Sequence, residues 1–584
     1  MKLFKSFLVT SILVLSISCQ SDDIKSINSL NNQPKTIQSL SERAPEPLGQ
    51  LHPPFDFPLV LSGNFGELRP NHFHSGIDFK TQGKTGKPIH CAEDGYISQV
   101  SVSGSGYGRA LYVTHPLIGL TTVYAHIENF SPKIDSIVKK EQYRHKTFNI
   151  NLKFSSDSIK VNKGEIIAFS GNSGNSFGPH LHMEIRHTVT NDAIDPLPYF
   201  KTYIKDTIAP IAHNLILYPV PGFGYVNGTS EASKYAVNNQ KNTLFYAWGK
   251  VYPAIDANDY MNNTHNVFGI KYLSLMVDGK KVYTRIIDRF KFNATRAINT
   301  LIDYTDLINN GDWNMYTRIP TSKPLGCIIE SSLNDGAIDI NEEKNYNCMF
   351  ILKDEYNNCS QIPFTIKGEK MMISNKKDII NNIKYNITDT LNIPGINVIF
   401  FNNCLYDDAN INITKSKSSF YHSPIYHIGE QLVPIARPYR IAIDVNPDTI
   451  NNPQQYYIVR IGKNKQHAIR SRYRNGKMIA YVNMLGKYAI NVDKDAPRII
   501  AINKDKWNKN QKITFKITDQ HSGIRNYSGE IDGKWVMFEA DTKTATITYA
   551  INESSLQKNK QHVITINAID NCGNSAKLTS LFSW

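Results

Sequence analysis

The chain has 584 residues, of which 41% are hydrophobic and 20% charged, and a formal net charge of +14. So long a chain exceeds what one hydrophobic core supports, so about three to five domains are expected. The charge is spread along the whole length, with no dense Lys/Arg block interleaved with aromatics, which argues against nucleic-acid binding; it reads as a solvated basic surface, with attraction to an anionic polymer or membrane surface as the alternative.

In chain order, the first element is an export signal. Lys2 and Lys5 precede an apolar run from Phe7 to Ile17, the length of a signal-peptide core and short for a bilayer span. The run ends in Leu15-Ser16-Ile17-Ser18-Cys19, which resembles the lipobox of bacterial lipoproteins, where the cysteine is lipidated and becomes the mature N-terminus. Ser16 stands where that motif usually has leucine, with Leu15 one place early, and plain cleavage to a soluble exported protein is the other reading. Residues 1–19 are therefore assigned as a lipoprotein signal peptide with Cys19 as the lipidation site. That places the protein in the cell envelope, facing the periplasm or on the outer membrane. No later segment reaches about 18 continuous apolar residues. Residues 20–48, rich in Ser, Asn, Gln and Pro, read as a flexible tether.

Residues 85–130 alternate in short β-branched runs separated by Gly-rich turns, which predicts an antiparallel β domain. Ten of the 17 histidines fall between residues 49 and 200. His180 and His182, in GPHLHMEIR, are two apart in a strand and so share a face; alone, such a pair is more commonly a hydrogen-bonded core or surface pair. In HFHSGIDF, His74 and Asp78 lie in a loop entering a strand. Two imidazoles and a carboxylate suit tetrahedral zinc with a fourth position open to water, although a loop-capping Asp beside a surface His is the plainer reading of either residue alone. His126 ends the apolar strand of TVYAHIENF, where a lone His is usually a satisfied edge residue. Six cysteines follow Cys19 without a Cys-x-x-Cys pair, which gives little support to thiolate zinc or thioredoxin-like chemistry. An exported chain could form a few disulfides, with Cys327, Cys348 and Cys359 the first candidates, and Cys91 is expected as a buried small hydrophobe rather than a nucleophile.

Together, GELRP (66–70), HSGIDF (74–79), AEDGYISQV (92–100), GYGRALYVTH (106–115), YAHIENF (124–130), VNKGEIIAFSGNSGNSFGPHLHMEIR (161–186) and IDPLPYF (194–200) resemble, in the same order, the zinc metallopeptidases of the lysostaphin and LytM type. The resemblance covers roughly residues 55–200. It implies metal ligands at His74, Asp78 and His182, one Zn2+ per chain, and non-ligand catalytic histidines at His126 and His180, with the division of labour between those two left open. It also implies endopeptidase action on peptidoglycan stem peptides, at a D-Ala to diaminopimelate cross-bridge. Some family members instead lose their ligands and only activate other cell-wall hydrolases; all five positions are filled in this chain, which favours the enzyme but leaves an autoinhibited groove open. Residues 131–160 exceed the usual connection of the family and are expected to form a β-hairpin or flap beside the groove.

Beyond residue 200 an internal repeat is legible. GIKYLSLMVDGKKV (269–282) and GIRNYSGEIDGKWV (523–536) share Gly-Ile, Asp-Gly-Lys and Val at equal spacing, and Asp-Gly between alternating runs predicts a hairpin in each. Asp206-Thr-Ile-Ala-Pro and Asp493-Lys-Asp-Ala-Pro open the two units; KDEYNNCSQIPFTI and IDNCGNSAKLTSLF close them. The expected fold is all-β: an antiparallel zinc peptidase domain with an open groove (49–200), followed by a string of β-sandwiches. These are an immunoglobulin-like unit with a helical insertion near 296–311 (201–368), a β-rich module (369–492) and a second immunoglobulin-like unit (493–584). Three roles are open to these modules: holding the peptidase at a distance from the membrane, gripping glycan, or docking a protein partner, which the sequence does not name.

Overall fold

A computed structural model describes residues 49–237, 242–372, 382–429, 432–445, 452–551 and 556–584. The export signal, the tether and Cys19 lie outside the described residues. Among the described residues no helix is long and apolar enough to cross a membrane.

The protein is mainly β. Its N-terminal sheet contains β1 (Leu61–Gly63), β2 (Ile77–Lys80), β3 (Gly95–Val102), β4 (Arg109–His115), β5 (Leu120–Ile127), β6 (Ile150–Lys153) and β7 (His180–His187). The spatial order is β1-β2-β7-β5-β4-β3-β6, all antiparallel. β5 is LTTVYAHI, rich in β-branched and aromatic residues and buried along nearly its whole length, as a central strand should be. β7 lies between β2 and β5, with His182 opposite Asp78 on one side and Ala125 on the other. Gly76 makes the approach of β2 to β7 possible, because a Cβ there would sit 2.2 Å from the Met183 carbonyl oxygen.

Residues 131–160 do not form the expected hairpin or flap. α1 (Pro132–His145) occupies nearly half of the segment, and β6 then adds to the outer edge of β3. Pro132 in the first turn, Asp135 near the start, Arg144 and His145 in the last turn and Lys146 in a left-handed conformation complete the helix ends. Ile134, Val138 and Gln142, spaced four apart, form its buried stripe.

β8 (Ala193–Ile194) pairs with β7 and also with a strand of the following unit. That unit holds a second ten-stranded sheet containing β9 (Ile211–Val226), β10 (Thr243–Asn258), β11 (Tyr272–Val277), β12 (Lys280–Ile286), β14 (Asn345–Lys353) and β15 (Cys359–Gly368), while β13 (Arg289–Phe290), between β12 and β14 in the chain, pairs with β8 and so belongs to the first sheet. Its β11–β12 turn holds Asp278 and Gly279 at φ of 47° and 75°, the left-handed pair that a two-residue hairpin needs, and Asp532-Gly533 repeats it at 50° and 74°. Phe290 stacks on Phe65 with ring centroids 4.9 Å apart and packs on Phe73 at 5.1 Å, so one continuous apolar core runs from the first sheet into the second.

Residues 382–493 form two five-stranded sheets around a separate core that includes Val398, Tyr426, Ile441 and Tyr488, and residues 498–584 form two four-stranded sheets around Phe515, Ile531, Ile547 and Ile566. The disulfide expected among Cys327, Cys348 and Cys359 is corrected for its strand pair. Cys348 lies opposite Phe364 whereas Cys359 lies opposite Lys353, five positions along the same β14–β15 ladder, roughly 16 Å apart at the strand rise and far beyond disulfide reach. Cys91 is buried, and burial pushes its thiol up to about 12.

Candidate metal centre

His74 enters from the loop before β2, Asp78 from β2 and His182 from β7. Their side chains converge: His74 Nε2 lies 3.1 Å from Asp78 Oδ1 and 3.0 Å from His182 Nδ1, and His182 Nδ1 lies 2.9 Å from Asp78 Oδ1. The three residues are 2%, 6% and 5% exposed.

The surrounding hydrogen bonds fix what these atoms offer. His74 Nδ1 donates to the Asn64 carbonyl at 2.6 Å, which leaves its Nε2 as a lone pair. His182 Nε2 faces Glu184 Oε1 at 3.0 Å, so neutral His182 turns an unprotonated Nδ1 toward Asp78. Three lone pairs therefore meet with no donor between them. Without a cation the cluster must hold a proton: burial opposes it, but the hydrogen bonds to Asp78 and Glu184 raise His182 to about 9, while burial pushes His74 down to about 4 against the pull of Asp78. Burial would raise Asp78, but His74 and His182 outweigh it and hold the carboxyl well below its usual range. Two imidazole nitrogens and one carboxylate oxygen are a zinc donor set, and the residues fit such an ion.

An outer layer holds the ligands. Arg69 Nη2 donates to Asp78 Oδ2 at 2.8 Å, leaving Oδ1 for the cluster. Glu184 is fully buried; it accepts from His182, Ser75 and Tyr107, and Arg186 Nε donates to its other oxygen at 2.6 Å. Burial would raise Glu184, but Arg186 and His182 hold it at about 2. His180, His182, Glu184 and Arg186 alternate along β7, so one strand face supplies an imidazole beside the cluster, the cluster's own His182, the carboxylate partner of His182 and that carboxylate's counter-ion.

His126 and His180 line the same space, with ring centroids 4.7 Å apart. His126 Nδ1 donates to the Ser173 carbonyl at 2.8 Å and His180 Nδ1 to the Gly178 carbonyl at 2.9 Å. A carbonyl only accepts, so Nδ1 carries a hydrogen in each ring and Nε2 is the nitrogen left over; that of His180 lies 3.6 Å from Asp78 Oδ1. Burial, followed by His182 and His180, pushes His126 down to about 3. His126 also has a left-handed backbone, φ 60°. All five residues singled out from the sequence thus meet in one place. Glu184, Arg186, Tyr107 and Arg69 were not anticipated, although the every-second-residue polarity of HLHMEIR pointed to the first two.

The loop that carries Ser173 and Gly178 is itself held from the far end of the chain. Lys543 Nζ donates to the carbonyls of Asn172 at 2.5 Å and Ser176 at 3.2 Å. Thr542 Oγ1 donates to the Gly104 carbonyl at 2.7 Å, and Arg109 pairs with Glu539 at 2.6 Å. Tyr143 of α1 meets Trp535 edge-on at 5.3 Å.

A His-Asp-His cluster that could hold a metal ion, with two further imidazoles beside it, is carried on an antiparallel sheet. Residues 72–143 match the family model described as Peptidase family M23, and the chain carries a peptidase domain of that family. Residues 381–493 match a Zu5-like domain. A Haemophilus influenzae protein named "Uncharacterized metalloprotease" is 33% identical over 132 residues, 23% of this chain and 21% of the relative. The "DD-carboxypeptidase/endopeptidase Mpg" of Neisseria meningitidis is 31% identical over 124 residues, 21% of this chain and 22% of the relative. The chain thus spans about a fifth of the length of these curated relatives. Among solved structures, the catalytic domain of lysostaphin from Staphylococcus simulans is 21% identical, covering 24% of this chain and 92% of that one, with a TM-score of 0.19.

Proposed function

We propose that the protein is a zinc-dependent endopeptidase that hydrolyses peptide cross-links between peptidoglycan stem peptides, exported and held to a membrane by a lipid on Cys19. The observation that carries this reading is the convergence of His74 Nε2, Asp78 Oδ1 and His182 Nδ1 at 2.9–3.1 Å, with the rings of His126 and His180 beside it. The substrate class is supported by the relative named as a carboxypeptidase and endopeptidase.

Zinc held by His74, Asp78 and His182 would acidify water and polarise the scissile carbonyl. His180, its Nδ1–H anchored on Gly178, takes the proton at Nε2 as water attacks. His126 lies beside it, and its low affinity for protons means that it keeps one only while negative charge develops nearby. The proton that His180 takes from the water passes to His126, which gives that proton to the leaving amine or holds it toward the oxyanion. The immunoglobulin-like reading of residues 201–368 and 493–584, and their use as a docking surface for a protein partner, belong to the same proposal.

The test is chromatographic analysis of muropeptides after digestion with protein lacking residues 1–48. Conversion of cross-linked dimers to monomers, with about one zinc per chain, is expected. Dimers left intact by zinc-loaded protein overturn the proposal.

A further inference from the structure

A second group of acidic side chains lies away from the peptidase centre. Asp206 sits in the segment between the peptidase sheet and β9, Asp259 directly follows β10, and Asp354 directly follows β14. One carboxylate oxygen from each falls within 4.8 Å of the other two. The residues are 5%, 2% and 6% exposed.

Three buried carboxylates so close together need compensation. Asp354 has some: its Oδ1 accepts from the backbone N–H groups of Tyr356 and Asn358, and its Oδ2 from the Asn358 amide. Asp206 Oδ1 accepts from the Ile208 N–H at 3.0 Å. Asp206 Oδ2 and Asp259 Oδ1 are buried with no hydrogen-bond partner. The charged groups that act on Asp259 are Asp354 and Asp206, both of its own sign; burial and these two push it up to about 8.

The internal repeat supplies a comparison. Asp493, Asp519 and Asp570 form the matching triad, with Asn574 bonding back to Asp570 as Asn358 does to Asp354. There the carboxylates accept more backbone N–H groups: Asp493 from Asp495 and Ser522, and Asp519 from His521 and Gly523. The orphaned carboxylate oxygens are confined to the first copy.

We propose that Asp206, Asp259 and Asp354 bind one calcium ion, which ties the segment leaving the peptidase sheet to the ends of β10 and β14. The donors are all oxygen, which selects a hard divalent cation, and an irregular set drawn from three separate segments suits the loose coordination of calcium better than the strict octahedron of magnesium. Extracellular modules bind calcium with Kd of about 10⁻⁴–10⁻³ M, and that range is expected.

The test uses the full chain with zinc already loaded, titrated with CaCl2 by calorimetry. Wild type is expected to take up one calcium equivalent that Asp259→Asn and Asp206→Asn each lose or weaken at least tenfold, while Asp519→Asn keeps it. In EGTA, Asp259→Asn is expected to melt no lower than wild type, since it removes an uncompensated charge; this separates loss of binding from loss of fold. If Asp259→Asn and Asp206→Asn bind as much calcium as wild type, or if Asp519→Asn alone loses the equivalent, the proposal fails. Absence of calcium uptake by wild type also overturns it and leaves the cluster neutralised by shared protons.

Discussion

At the residue scale, the metal cluster is held by what lies behind it. Glu184 fixes His182 through its Nε2–H, and Arg69 takes the Asp78 oxygen that faces away from the cluster. His182→Ala is expected to abolish zinc binding in equilibrium dialysis. Glu184→Gln is expected to keep the fold and weaken zinc by about 10–100-fold, the usual effect of losing a ligand's outer partner. His180→Ala is expected to retain zinc while turnover on muropeptide dimers falls by about 10²–10⁴; full activity in that variant would reassign the base. His74, Asp78, His126, His180 and His182 were legible because each lies in a short motif and all recur in one order. Glu184 and Arg186 were legible in principle from alternation along β7, whereas Tyr107 reaches Glu184 from a Gly-rich turn, which no local pattern announces.

At the element scale, α1 shows why one expectation failed. Its signals were present, Ser-Pro at the start and apolar residues at 134 and 138, but fourteen residues of helix inside a β-rich run were masked by the surrounding period of two. The Asp-Gly hairpins fared better because positive φ at both central positions restricts the residues that fit. The second of them carries a pH-sensitive contact. His562 Nδ1 meets Asp532 Oδ2 at 2.6 Å and its Nε2 meets the Gln557 carbonyl at 2.9 Å. The bond to Asp532 raises His562 above 6.5 in the folded state. A raised folded value means that the stabilisation is fully present below about 6.5, the unfolded value, and is lost as pH rises through the higher folded one. Amide exchange across residues 561–570 is therefore expected to quicken as pH rises above about 6.5, beyond its intrinsic dependence, and Asp532→Asn is expected to remove that excess.

At the scale of the whole molecule, the last module reaches the first. Lys543 holds the carbonyls of Asn172 and Ser176, on the loop whose Ser173 and Gly178 carbonyls set the orientation of His126 and His180. Lys543→Ala is expected to leave zinc content unchanged and to lower kcat roughly two- to tenfold through a looser loop, measured as steady-state turnover beside metal analysis. Nothing in the sequence pointed to this contact. Lys543 stands in an ordinary turn, and partners 371 residues apart leave no periodicity to read. The same holds for Asn64, which exchanges a pair of 2.9 Å hydrogen bonds with the backbone of Gly269.

The packing of Phe290 on Phe65 and Phe73 bears on how the protein can be handled. A gene fragment stopped after residue 200 would strip the cover from those two rings and from the β8 edge, leaving an oily, hydrogen-bond-hungry flank. Grafting the N-terminal sheet onto another carrier would need that flank rebuilt, so the inheritable unit extends past this sheet into the neighbour that shields it.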